Sequence, residues 1–116
     1  MKRILIVDDD AELRDLYARY LDDEGYCVSV ARDGAEAVDV ATMVHPHAIV
    51  MDVSMPLMNG CEAAGLIRHG SQTSSIPIVA LTGENLDELE SSSFDTMLEK
   101  PLTPPLLAEV LANITH

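Results

Sequence analysis

The stretch Ile4-Leu5-Ile6-Val7-Asp8-Asp9-Asp10 decides how the rest of the chain is read. A continuous apolar run that stops at carboxylates is the mark of a strand buried on both faces, not of one with a wet side. Residues 10–24 then place Leu13, Leu16, Tyr17, Tyr20 and Leu21 on one face at helical spacing. Asp10 is suited to cap that helix and Gly25 to end it. A doubly buried strand feeding an amphipathic helix is the unit from which parallel sheets are built.

The unit recurs along the chain. Residues 26–31 read as a second strand, and Asp33-Gly34 turns into a helix carrying Ala37, Val38, Ala41 and Val44, which Pro46 stops. Residues 48–51 form the third strand, ending on Asp52. A loop rich in Met, Pro and Gly (residues 54–60) leads to a helix over residues 61–69, and a polar connection follows. Residues 76–81 make the fourth strand, ending on Thr82, with Pro77 near its start. A short acidic helix is expected between residues 84 and 91, and a brief fifth strand over residues 96–98 ends near Lys100. Pro104-Pro105 opens a last helix with Leu106, Leu107, Val110, Leu111 and Ile114. Five such units imply an α/β fold: an open, mostly parallel sheet with helices on both faces, connected by right-handed crossovers. In such sheets ligands bind beyond the carboxyl ends of the strands.

Composition narrows the function. The chain of 116 residues is the size of one domain, spanning residues 1–116, and is too short for a multidomain machine. Its 47% hydrophobic share argues against disorder. With 20 acidic and 7 basic residues and a net charge of −13, it lacks the basic face that direct nucleic-acid binding needs. No apolar run approaches the roughly 18 residues of a membrane span. The basic start Met1-Lys2-Arg3 precedes only four apolar residues, too few for a signal peptide, so a cytoplasmic location is expected. Cys27 and Cys61 are too few for a disulfide framework or a zinc site and are expected as small buried hydrophobes. The four histidines show no ligand spacing. Lysine occurs only at Lys2 and Lys100, so Lys100 is the one base after Arg68, among seven acids.

The groups just past the apolar strands are Asp8-Asp9, Asp52, Thr82 and Lys100, and the fold brings them to one crevice. Singly each is ordinary: an aspartate there often caps a helix, a threonine fills a turn, a lysine sits on the surface. Together they form a coherent set. Three crowded carboxylates would not stay ionised without a cation, and hard oxygen ligands with room for water suit Mg²⁺. A carboxylate nucleophile, a hydroxyl and an ammonium beside that ion are equipment for phosphoryl transfer through an acyl phosphate.

At these residues the chain resembles a response-regulator receiver (CheY-like) domain, the phosphorylation module of two-component signalling. The likeness spans essentially the whole length: Ile6-Val7-Asp8-Asp9; Ala31-Arg32-Asp33-Gly34-Ala35-Glu36-Ala37; Met51-Asp52-Val53-Ser54-Met55-Pro56-Leu57-Met58-Asn59-Gly60; Ala80-Leu81-Thr82-Gly83; and Phe94-Asp95-Thr96-Met97-Leu98-Glu99-Lys100-Pro101. The third is the most specific. The resemblance implies a flavodoxin-like, doubly wound five-stranded parallel sheet of strand order 2-1-3-4-5, with five helices, the fourth short. It also implies that Asp52 accepts a phosphoryl group from a histidine kinase or histidine phosphotransfer protein, and that this switches contacts with a downstream effector protein. The domain would be no enzyme beyond catalysing its own phosphorylation and dephosphorylation. Asp9 would ligate Mg²⁺ directly and Asp8 mainly through water, with Asp52 and the Ser54 backbone carbonyl completing the protein's share. Thr82 would be the switch hydroxyl, Lys100 the phosphoryl counter-ion, Pro101 a cis proline, and Gly83 the small residue that leaves access open. Ser54 and Glu84 would tune the acyl-phosphate lifetime.

Several positions depart from that pattern. Met97 stands where an aromatic residue is usual, so a flexible thioether replaces a ring. The span from Thr82 to Lys100 is about one helical turn short, and Ser91-Ser92-Ser93 replaces the usual Ala-Gly pair before Phe94. The fourth helix belongs to the face, shared with the fifth, through which a homodimer or an output contact is expected. Two rival readings remain at this point. One is a haloacid-dehalogenase-like phosphatase with Asp8 as nucleophile and Asp10 as acid, which leaves Asp52 without a task. The other is a receiver-like docking module that is not phosphorylated. The resemblance leaves open a free-standing regulator and one domain of a hybrid kinase or larger regulator, with residues 94–101 weakly similar to hybrid-kinase receivers.

Overall fold

A computed structural model describes residues 2–53, 60–83, 94–100 and 102–115, excluding the side chains of Gly60 and Cys61. In chain order the elements are β1 (Arg3–Val7), α1 (Ala11–Asp23), β2 (Cys27–Ala31), α2 (Gly34–Val44), β3 (Ala48–Asp52), α3 (Gly60–His69), β4 (Ile78–Thr82), β5 (Thr96–Glu99) and α4 (Pro104–Thr115). All five strands are parallel and lie in the order β2-β1-β3-β4-β5. This is the expected flavodoxin-like order, with four helices among the described residues. The expected short helix at residues 84–91, one half of the expected fourth-to-fifth-helix face, lies outside the described residues, as does the loop at residues 54–59; the expected fifth helix is α4.

The apolar runs do what their lack of alternation requires. Along β1, β3 and β4 successive side chains go to opposite faces. Leu5, Val7, Ile49, Met51, Ile78 and Ala80 join one core with Ala37 and Ala41 of α2 and Ala63, Ala64 and Ile67 of α3. Ile4, Ile6, Ala48, Val50, Val79 and Leu81 join the other, with Tyr17 and Leu21 of α1 and Leu107 and Leu111 of α4. The central strands β3 and β4 are buried at every residue, whereas the outer strands β2 and β5 are half exposed.

Edge position also overturns one expectation. Cys27 is exposed, not buried, because it opens the outermost strand, where only one side is covered by a neighbour. The side chain of Cys61 lies outside those described. Among the described residues no helix is long and apolar enough to cross a membrane.

Candidate functional site

Register delivers the site. Val7 pairs with Met51, Asp52 with Leu81, and Thr82 with Glu99, so the strands end at one level. The ladder continues one step past the strands: the Val53 N–H donates to the Leu81 carbonyl at 3.0 Å and the Lys100 N–H to the Thr82 carbonyl at 2.7 Å. Alternation then sorts the side chains. Asp8, Asp52 and Lys100 continue the parity of Ile6, Val50 and Leu98, which face the α1–α4 core, whereas Thr82 continues the parity of Ile78 and Ala80 on the opposite face.

The three leading aspartates divide their tasks. Asp10 is the N-cap of α1, its carboxylate accepting from the N–H groups of Glu12 (3.0 Å) and Leu13 (3.3 Å). An oxygen so engaged at a helix terminus is badly placed as the general acid of a phosphatase. Asp8 is buried, and its Oδ1 accepts from the Asp10 N–H at 2.9 Å while its backbone carbonyl accepts from Arg14 at 3.0 Å. Asp9 is exposed. One carboxylate oxygen from each of Asp8, Asp9 and Asp52 falls within 4.8 Å of the others.

Lys100 closes the pocket. Its Nζ lies 3.4 Å from Oδ2 of both Asp8 and Asp52, with those two carboxylates almost fully buried. Burial pulls the ammonium pKa down, but Asp52 and Asp8 outweigh it and leave the pKa above its ordinary value. One ammonium cannot neutralise three carboxylates. The donor set therefore fits a small divalent cation that takes oxygen ligands and retains water. Thr82 is fully buried at the end of β4, beside Lys100 through the ladder bond. A Cβ added at Gly83 would meet none of the described atoms within 4 Å, so access past that residue is open on their side. Met97 packs against the core that contains Phe94, filling apolar space as a thioether can. Ser54, Glu84 and Pro101 lie outside the described residues.

Sequence reasoning brought Asp8, Asp9, Asp52, Thr82 and Lys100 to one end of the sheet, and the structure places them there. It missed two supports. Tyr17, read only as a core residue, donates its hydroxyl to the Leu102 carbonyl at 2.9 Å. Burial chiefly raises its phenol pKa, so it remains a donor. Asp95, read only as one more acid, accepts from the Ile78 N–H at 2.8 Å and from Arg68 at 2.7 Å, tying β5 to the start of β4. Neither pairing has a sequence signal, because the partners are a remote carbonyl and a remote N–H.

Known proteins are similar to this chain in sequence and fold. Residues 4–112 match the family described as response regulator receiver domain. The response regulator MprA of Mycobacterium sp. (strain KMS) is 36% identical over 113 residues, covering 97% of this chain and 48% of that protein, so the chain spans about half the length of such relatives. The chemotaxis protein CheY4 of Vibrio cholerae superposes with a TM-score of 0.90 at 34% identity, covering 98% of both chains. The response regulator TrrA of Thermotoga maritima, solved in complex with Mg²⁺–BeF, gives 0.88 at 31% identity, covering 98% of this chain and 99% of that one. An acid pocket at the switch point of a 2-1-3-4-5 sheet and a family match over nearly the full length agree: the chain belongs to the response regulator receiver domain family of two-component signalling.

Proposed function

We propose that Asp52 is the phosphoacceptor of this receiver domain and that residues 1–116 act as one such unit. A carboxylate oxygen of Asp52 attacks phosphorus, the P–N bond of a phosphohistidine breaks, and the imidazole nitrogen leaves with the electron pair and takes a proton. The product is an acyl phosphate. The donor is a histidine kinase or histidine phosphotransfer protein, and the phosphorylated domain changes its contacts with a downstream effector protein. Because such kinases draw on ATP, the exchange belongs in the cytoplasm.

Asp8, Asp9 and Asp52, with the backbone carbonyl of Ser54, are the groups that would hold Mg²⁺. When bound, the ion supplies charge neutralisation for the phosphoryl oxygens and the carboxylates around them. Lys100 stands ready to leave its shared position between Asp8 and Asp52 for a phosphoryl oxygen, and the Thr82 hydroxyl can donate to another. The domain catalyses only its own phosphorylation and the return to rest by hydrolysis, chiefly by positioning. Ser54 and Glu84, two residues beyond Asp52 and Thr82, are assigned the tuning of that lifetime.

The observation that carries the proposal is the convergence of three carboxylates within 4.8 Å on a lysine 3.4 Å from two of them. Intact mass spectrometry after acetyl phosphate treatment, with and without Mg²⁺, tests it. Wild type should gain one phosphoryl group only with Mg²⁺, and Asp52→Asn should gain none. Normal labelling of Asp52→Asn sinks the assignment, and labelling on Asp8 would revive the phosphatase reading.

A further inference from the structure

We infer that Tyr17 is a positioning residue for Lys100: its hydroxyl, bonded to the Leu102 carbonyl, ties α1 to the backbone that carries the lysine. The inference rests on the phosphoacceptor reading above and extends it.

Tyr17 is 1% exposed, within the core between α1, the sheet and α4. Burial at that point needs only an apolar side chain, as Leu21 one turn later shows. A hydroxyl there is a liability unless it finds a partner. Its partner is not in its own helix but 85 residues away, at Leu102. Leu102 is two residues past Lys100, so no more than about 7 Å of chain separates the anchored residue from the lysine Cα. On the other side, the Lys100 N–H is bonded to the Thr82 carbonyl at 2.7 Å. The backbone around Lys100 is thus held between the end of β4 and the second turn of α1.

That anchoring bears on the chemistry. The Lys100 Nζ sits 3.4 Å from both carboxylates, at the loose end of ion-pair contact. Charge-assisted N–H···O bonds close to roughly 2.7–2.9 Å. The ammonium is therefore not locked onto either carboxylate and is free to move onto a phosphoryl oxygen, and where its Cα stands decides whether it arrives. The same helix starts directly after Asp8 and Asp9 and is capped by Asp10. One rigid element therefore sets both the metal-binding carboxylates and the phosphoryl counter-ion, and the Tyr17 hydroxyl is its link to the second.

A double-mutant cycle tests this. Labelling rates with acetyl phosphate at saturating Mg²⁺ are measured for wild type, Tyr17→Phe, Lys100→Ala and the double variant, with Mg²⁺ affinity by calorimetry and thermal midpoints alongside. Tyr17→Phe should slow labelling about threefold to tenfold, the loss expected for one neutral hydrogen bond, with Mg²⁺ affinity unchanged. In the Lys100→Ala background the same substitution should cost nothing further, because the residue acts through the lysine. Tyr17→Met, which removes ring and hydroxyl together, should slow labelling as much as Tyr17→Phe although it lowers the midpoint more. Wild-type rates in Tyr17→Phe, equal losses in both backgrounds, or rates that follow the midpoints overturn the role. Labelling of wild type but not of Asp52→Asn keeps the phosphoacceptor reading whatever Tyr17 does, whereas an unlabelled wild type ends both.

Discussion

Arg3 and His47 show how a backbone pairing can depend on one proton. The Arg3 N–H donates to His47 Nδ1 at 2.9 Å while the His47 N–H donates to the Arg3 carbonyl at 2.8 Å. Nδ1 can accept only in the neutral ring, with the proton on Nε2. Burial lowers the His47 pKa below its ordinary 6.5, and the charges of Arg3 and Lys2 lower it further. The folded state thus disfavours imidazolium. His47 contributes stability that is complete above about pH 6.5 and is lost as pH falls through the depressed folded value. Urea unfolding between pH 7 and pH 5 should show wild type losing stability on acidification. His47→Asn, which keeps an acceptor near Nδ1 but does not titrate, should lose less; an unchanged slope would refute the linkage. None of this was legible beforehand, since a lone histidine after a proline carries no spacing signal.

Helix α1 shows how much of an element local chemistry can specify. Its start is the Asp10 cap, and its end follows from Gly25, whose φ of 98° is the left-handed region that a side chain rarely adopts. The Gly25 N–H donates to the Asp22 carbonyl at 3.0 Å and the Tyr26 N–H to the Leu21 carbonyl at 3.0 Å, the pairing of a Schellman stop. Cap, stop and apolar spacing all lie within a few residues, so the helix was readable to within one residue at each end. Asp10→Ala should cost about 1 kcal/mol, lowering the thermal midpoint by about 4 °C as read by circular dichroism. Edges were less legible. Strand β4 starts at Ile78, not at residue 76, because Ile76 still bonds back to Thr73 in the preceding turn. Cys27 reads as a small hydrophobe, but its exposure depends on which strand has only one neighbour, a property of sheet order.

Across the whole molecule, charge and topology meet at the end of the sheet. The net charge is −13, and within it the buried Asp8 and Asp52 each lie 3.4 Å from Lys100. A cation that binds only the folded state stabilises it by mass action. Millimolar Mg²⁺ should therefore raise the thermal midpoint by several degrees at constant ionic strength, chelation should reverse the rise, and Asp9→Asn should blunt it. A midpoint indifferent to Mg²⁺ would count against the metal site. By itself the sequence determined the class of fold, since uninterrupted apolar runs cannot be half-wet strands, and it determined the chemistry, since few other functions need carboxylates, a hydroxyl and an amine at successive strand ends. Only the tertiary structure decided the distances that make those groups one pocket, because pairs such as Asp8 and Lys100 are 92 residues apart and meet through sheet register alone. The same holds for Tyr17 and Leu102: a buried hydroxyl must find an acceptor, and which carbonyl it finds is settled by how α1 packs on the sheet.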